Sequence, residues 1–252
     1  ITLISGKKLK LIIQVLTRKA TSIQINKISY LGIGDTIMAF TPLVNELNSF
    51  TKIGRLPINT PYSNSYWLNE PYDYGLYTVK NLNQIGKAEN ESPLKVRIDL
   101  SVGGLDFSIE REVIYKFVDP VKGEIYRPLE IIPPVTINIS ESIFVFANKK
   151  PKKVQFVVKA NQPDIESELE VNVPEGWSIE IEDADVELKN KGDEVVINAM
   201  LMPSDTAVEL GTIEASIMLN GKKYNQSVIR IQSDHIPYQL KLKDASSSLL
   251  KF

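Results

Sequence analysis

The sequence predicts an all-β chain, two immunoglobulin-like antiparallel β-sandwich domains in tandem, and three observations carry that expectation. Apolar residues recur with a period of two through most of the chain. Turn dipeptides separate the alternating runs at intervals of about 8–12 residues, the spacing of sandwiches and barrels. No long segment shows the 3.6-residue period of an amphipathic helix.

From the N-terminus, residues 9–16 and 22–30 read as strands, and residues 42–50 as a short segment with room for one helical turn. Residues 54–74 are the least regular part, with Pro57, Pro61 and Pro71 among Asn, Ser and Tyr, and they read as a long loop. Leu94, Val96, Ile98, Leu100 and Val102 then alternate with polar residues up to Gly103-Gly104, and Leu105, Phe107 and Ile109 resume the alternation. Glycine reaches positive φ without steric cost, so two alternating runs across Gly-Gly predict a hairpin. Val113, Tyr115 and Phe117 keep the parity, with Arg111 the exception.

Residues 119–134 hold four prolines, ending in Pro133-Pro134, and the strand rhythm restarts at Val135. A proline pair cannot feed a central ladder, so the expected modules are 1–132 and 133–233. In the second, Val154, Phe156 and Val158 alternate, and Leu169 and Val171 lead through Pro174-Glu175-Gly176 to Trp177, Ile179 and Ile181. Val195 to Leu201 forms a further alternating run, and Ile213 to Leu219 ends on Asn220-Gly221, a strong hairpin signal. The returning strand is expected over 222–231, with a bulge near Val228-Ile229. Residues 234–252, with their lysines and Ser246-Ser247-Ser248, are expected to be a linker tail.

Composition narrows the function classes. The 252 residues carry 43% hydrophobic and 24% charged residues, and a formal net charge of −2. A basic face for nucleic acid is not indicated, and no apolar run approaches the roughly 20 residues of a spanning helix. With no cysteine there is neither a disulfide nor a thiolate metal site. The single histidine rules out a zinc site built on two or three His ligands. No cofactor is expected. The chain starts at Ile1 without a signal-peptide pattern, which reads as an internal fragment.

Five features invite a functional reading. His235 beside Asp234 could form an acid–base pair, but Pro237 and the absence of nearby partners favour a linker. Asp183 and Asp185 within residues 180–187 could bind calcium, but the segment lacks the glycine of a calcium loop, so a solvated turn is preferred. Gly32-Ile33-Gly34-Asp35 lacks the rest of a phosphate-binding motif and reads as a turn. Trp177 alternates with Ile179 and Ile181, which assigns it to the core. The cluster Tyr62, Tyr66, Trp67, Tyr72, Tyr74 and Tyr77 is the candidate binding feature, with Tyr66, Trp67 and Tyr72 as its ligand-binding residues. Such rings stack on sugars, or anchor a loop on its own module or a neighbouring domain.

Three segments carry a resemblance: Pro61-Tyr62-Ser63-Asn64-Ser65-Tyr66-Trp67-Leu68, the run from Asp119-Pro120-Val121-Lys122-Gly123-Glu124 to Pro128, and Val173-Pro174-Glu175-Gly176-Trp177. They resemble the region downstream of the catalytic domain in large bacterial PIG-L/LmbE-type deacetylases, and Asp234-His235-Ile236-Pro237-Tyr238-Gln239 resembles the linker that in such proteins leads to a further α/β domain. Those zinc enzymes remove acetyl groups from N-acetylglucosamine-type sugars. The family's His-Pro-Asp-Asp motif is absent, so no residue inherits a catalytic or metal-binding role. The resemblance implies a bacterial, periplasmic or extracellular setting and a non-catalytic accessory role. The partners implied are neighbouring domains of the same chain and, as an alternative, polysaccharide. Rival readings are an autonomous carbohydrate-binding module on Tyr66, Trp67 and Tyr72, an adhesin-like stalk, and an enzyme with paired carboxylates.

Overall fold

Strands account for nearly all regular structure in the computed structural model, which describes residues 2–19, 22–34, 36–37, 39–70, 75–88, 90–233 and 235–252. Among these residues the fold is all-β, with twenty-two strands and two single-turn 3-10 helices. The chain divides into two compact units, Ile1–Ile131 and Ile132–Phe252.

The first unit contains β1 (Thr2–Leu3), β2 (Lys8–Leu16), β3 (Ile23–Leu31), β4 (Thr36–Ile37), β5 (Leu47–Arg55), β6 (Lys95–Val102), β7 (Leu105–Glu112), β8 (Ile114–Asp119), β9 (Gly123–Pro128) and β10 (Glu130–Ile131). A four-stranded sheet has the order β4-β3-β6-β7, and β2 pairs with β5 as a two-stranded ribbon. Leu9 and Leu11 from the ribbon and Ile28, Tyr30, Val96 and Ile98 from the sheet are buried in one core. The Gly103-Gly104 hairpin forms as expected, with Val102 opposite Leu105 and both glycines at positive φ, +58° and +85°. On β7, the sheet's edge strand, the alternation survives but burial does not: Leu105 is 73% exposed.

Two expectations for this unit change. Residues 42–50 contain no helical turn; Asn45, at φ +62°, turns the chain directly into β5. Phe50 alternates with polar neighbours and its ring meets Phe40 at a tilt of 49° with centroids 4.6 Å apart, so the apolar residues serve a strand. The irregular segment is also longer than 54–74: among the described residues it begins at Leu56 and runs to Leu94, with its 3-10 turns at Tyr66–Leu68 and Leu82–Gln84. The Val113–Phe117 run does not extend the sheet. It forms β8, paired with β9 across a turn in which the Asp119 carboxylate accepts hydrogen bonds from the Val121 and Lys122 backbone N–H groups, both at 2.8 Å. Those two bonds hold the carboxyl below the usual carboxylate range.

The second unit contains β11 (Val135–Ile139), β12 (Ile143–Phe146), β13 (Lys152–Ala160), β14 (Ile165–Asn172), β15 (Trp177–Ile181), β16 (Asp185–Leu188), β17 (Glu194–Pro203), β18 (Leu210–Leu219), β19 (Lys222–Tyr224), β20 (Gln226–Ser233), β21 (Ile236–Asp244) and β22 (Ser246–Lys251). One sheet has the order β11-β13-β17-β15 and the other β12-β22-β18-β14-β16, with β19 paired to β18. Phe144, Phe146, Phe156, Ile197, Ile213 and Leu249 lie in a single core drawn from both sheets. Each such side chain contributes about 1.5–3 kcal/mol by leaving water. Trp177 belongs to this core: its ring meets Phe146 edge to face at 4.9 Å, and its Nε1–H donates to the Val208 carbonyl at 3.1 Å.

The C-terminal segment corrects a further expectation. Residues 234–252 are not a linker tail, because β22 lies between β18, its antiparallel partner, and β12, its parallel partner. Leu249 is fully buried, and the Ser247 hydroxyl donates to the Glu141 carbonyl. Small serines fit the pleat and leave one long apolar side chain for the core. The return from Asn220-Gly221 (φ +52° and +74°) is correspondingly short. It pairs as β19 only as far as Tyr224, and then β20 departs to pair with β21, because β22 occupies the rest of that edge of β18. The irregularity expected near Val228-Ile229 lies between Ile231 and Ser233.

Candidate functional site

The described residues of the long segment after β5 take their shape from side chains rather than from a ladder. Leu56, 1% exposed, anchors its start in the core, and Tyr62 packs against the same core. Ser63 then joins the segment to β10 in two ways. Its backbone N–H donates to the Ile131 carbonyl at 2.7 Å, and its hydroxyl accepts from the Ile131 N–H at 2.9 Å. Asn64 braces the turn that follows: its Oδ1 accepts from the Ser65 N–H at 3.0 Å and its Nδ2 donates to the Leu68 carbonyl at 3.1 Å. Asn90 closes the arrangement from the far end of the segment, its Oδ1 accepting from the Tyr66 N–H at 3.1 Å and its Nδ2 donating to the Asn64 carbonyl. Together these bonds replace the ladder that the segment lacks.

The braced turn carries Tyr66 and Trp67, both half-buried, with ring centroids 4.8 Å apart at an interplanar angle of 89°. Two rings at right angles do not form a flat platform; the pair instead presents one face and one edge. Tyr77 is on the same segment and 49% exposed. Tyr72 and Tyr74 lie outside the described residues, so the structure brings together Tyr66 and Trp67 of the three expected ligand-binding residues. The residues that hold the pair, Ser63, Asn64 and Asn90, escaped the sequence reading. The first two sit beside the aromatics, but Asn90 is 24 positions beyond the residue whose N–H it accepts, and no local pattern joins them.

Charge around the segment is locally neutralised. Glu70 pairs with Lys80 at 2.6 Å, and Glu91 pairs with both Lys87 and Lys95, the latter at 2.7 Å. Hydrogen bonds from Lys87 and then Lys95, reinforced by their charge, bring the Glu91 carboxyl down to about 2.

The other candidates settle into structural surroundings. Gly32 and Gly34, at φ +87° and +84°, form a turn in which the N–H groups of Ile33 and Gly34 both reach the Tyr30 carbonyl, while Asp35 lies outside the described residues. The Asp183 carboxylate accepts from the Asp185 N–H at 3.0 Å within a turn between strands. His235 is an exposed turn residue between β20 and β21; Asp234 lies outside the described residues. Among the described residues, no three His, Asp or Glu side chains converge into a metal-holding set, and no helix is long and apolar enough to cross a membrane.

The segments behind the family resemblance occupy three different roles. Pro61–Leu68 is the braced turn, 119–128 is the tip and return strand of the β8–β9 ribbon, and 173–177 is the turn into β15. In that turn Gly176 is required twice over. It sits at φ +76°, and a Cβ there would lie 2.4 Å from the Ala207 Cα. No protein-family model and no curated protein matches the chain.

Proposed function

We propose that the two units are immunoglobulin-like β-sandwiches acting as non-catalytic accessory modules of a larger bacterial carbohydrate-active protein, one of the PIG-L deacetylase type. In this reading they position and support the catalytic domain in a periplasmic or extracellular setting, and Tyr66 and Trp67 form an anchor for that neighbour. The supporting observation is the braced turn. Its half-buried, mutually perpendicular rings stand on a backbone turn held by Ser63, Asn64 and Asn90, which suits a shaped plug for a protein pocket better than a sugar-stacking platform.

The test is made in the full-length protein. Tyr66→Ala combined with Trp67→Ala is expected to lower the melting temperature of the catalytic domain and to speed proteolysis at its junction with the accessory modules. Unchanged melting and cleavage in the double variant would refute the anchor. A carbohydrate-binding role for the same rings is the second reading, favoured by their partial exposure and by the exposed Tyr77 on the same segment.

A further inference from the structure

Two sheet faces of this chain have complementary patterns. On the β2–β5 ribbon, the face turned away from the core carries Lys8 opposite Arg55, then Lys10 opposite Ile53, and ends with Leu16 opposite Leu47. Ile53 is 67% exposed and Leu47 57%. The three cations make no ion pair among the described residues, and two of them stand directly across from one another. This face is therefore basic at one end and aliphatic at the other.

The outer face of the β12-β22-β18-β14-β16 sheet runs in the same way with mainly the opposite charge, although the exposed Lys223 of β19, opposite Met218, also lies on it. At one end Val145 lies opposite Leu250, which lies opposite Leu210, and Leu210 is 71% exposed. At the other end Glu166 faces Glu187 and Glu168 faces Asp185, with Glu170 next along β14 opposite Ser216. These five carboxylates are exposed and none forms an ion pair among the described residues. Like charges directly opposite on neighbouring strands cost about 0.2–1 kcal/mol per pair. Both faces hold such pairs, and a partner of opposite charge would relieve them.

The repeat distances also agree, because both surfaces are β-sheet. Side chains on one face recur every ~6.8 Å along a strand and every ~4.8 Å across strands. From Leu16 to Lys10 on the ribbon is six residues of strand, ~20 Å, and the row of the exposed Glu170, which lies opposite the buried Ser216, is the same ~20 Å along the sheet from the row of Leu210.

We propose that this chain associates head to tail with a second copy of itself. The β2–β5 face of one copy seats on the outer β12-β22-β18-β14-β16 face of the next, basic end on acidic end and aliphatic end on aliphatic end. The surfaces differ, so the contact is heterologous, and each copy of a pair keeps one face free, of the kind its neighbour lacks. The ribbon face is roughly 30 Å by 10 Å, about 300 Å² a side and well below the roughly 800 Å² a side of a standard interface, so association is weak and sensitive to salt.

Sedimentation velocity of the whole chain at about 10 to 500 μM tests this. In 50 mM NaCl the weight-average mass should climb above the monomer's 28.3 kDa as concentration rises, and in 500 mM NaCl the apparent Kd should weaken at least ~10-fold. Two charge-reversed variants, Lys8→Glu/Lys10→Glu/Arg55→Glu and Glu168→Lys/Glu170→Lys/Asp185→Lys, should each remain monomeric alone. An equimolar mixture of the two should associate again, a result that misfolding cannot produce. A wild type that stays monomeric at 500 μM in low salt would overturn the proposal, as would variants that self-associate like the wild type. Co-sedimentation of the monomer with phosphatidylglycerol vesicles, lost in the Lys8/Lys10/Arg55 variant and without self-association, would overturn it by assigning the basic face to a lipid surface.

Discussion

Leu249→Ala probes the least expected element of the fold, the C-terminal strand between β12 and β18. Leu249 is fully exposed if residues 234–252 are a linker and fully buried if β22 completes the sheet, as it does here. Truncating a buried leucine costs about 2–5 kcal/mol, through lost transfer free energy and the cavity left behind. In a unit of about 120 residues, each kcal/mol moves the melting temperature by about 3–5 °C, so a drop of roughly 6–25 °C is expected. Leu250, one residue on, lies on the outer face and is half-buried, and its truncation should cost less than about 1 kcal/mol. The assay is thermal and urea unfolding followed by tryptophan fluorescence in a Trp67→Phe background, where Trp177 reports on the second unit alone. A Leu249→Ala melting temperature within about 2 °C of its parent, or equal effects at Leu249 and Leu250, would refute the placement of β22.

Three further perturbations follow from local geometry. Gly176→Ala must move the Ala207 backbone and hold a side chain at positive φ, and should destabilise the second unit by about 2–4 kcal/mol in urea melts. Ser63→Ala leaves the Ile131 N–H without its side-chain acceptor and should cost the first unit about 1–2 kcal/mol, with increased proteolysis within residues 56–94. Glu91 has its carboxyl lowered from 4.5 to about 2 in the folded state, so its contribution is complete above about 4.5 and fades as pH falls towards 2. Glu91→Gln should therefore flatten the wild type's loss of melting temperature across that window in low salt, and 500 mM NaCl should erase the difference because the group lies at the exposed surface.

Legibility from sequence followed the range of the interactions involved. The hairpins at Gly103-Gly104 and Asn220-Gly221 were readable because a turn needing positive φ and an alternating run are both local. The core role of Trp177 was readable for the same reason. Strand β5 was obscured by the weak alternation of Leu47, Ser49, Thr51 and Ile53, whose outer row is only partly polar. The end of β19 at Tyr224 and the strand at Ser246–Lys251 share one cause. Which strand occupies the edge of β18 is decided by β22, more than twenty residues downstream, and by its parallel pairing with β12, about a hundred residues upstream. At the candidate site the aromatic content was visible, but the bracing by Asn90 and the contacts of Ser63 with β10 were not, since each joins segments distant in sequence. The two like-charged faces were hidden similarly, because a cross-strand pair such as Lys8 and Arg55 exists only once the register is known.

The measurement that bears most directly on the accessory role is binding of the folded chain to a broad glycan array, including N-acetylglucosamine oligomers, beside a Tyr66→Ala/Trp67→Ala variant. The perpendicular, half-buried rings of an anchor predict no glycan binding by either protein, with both melting as folded β proteins. Binding by the wild type that the variant loses would contradict the account and make the braced turn a carbohydrate site.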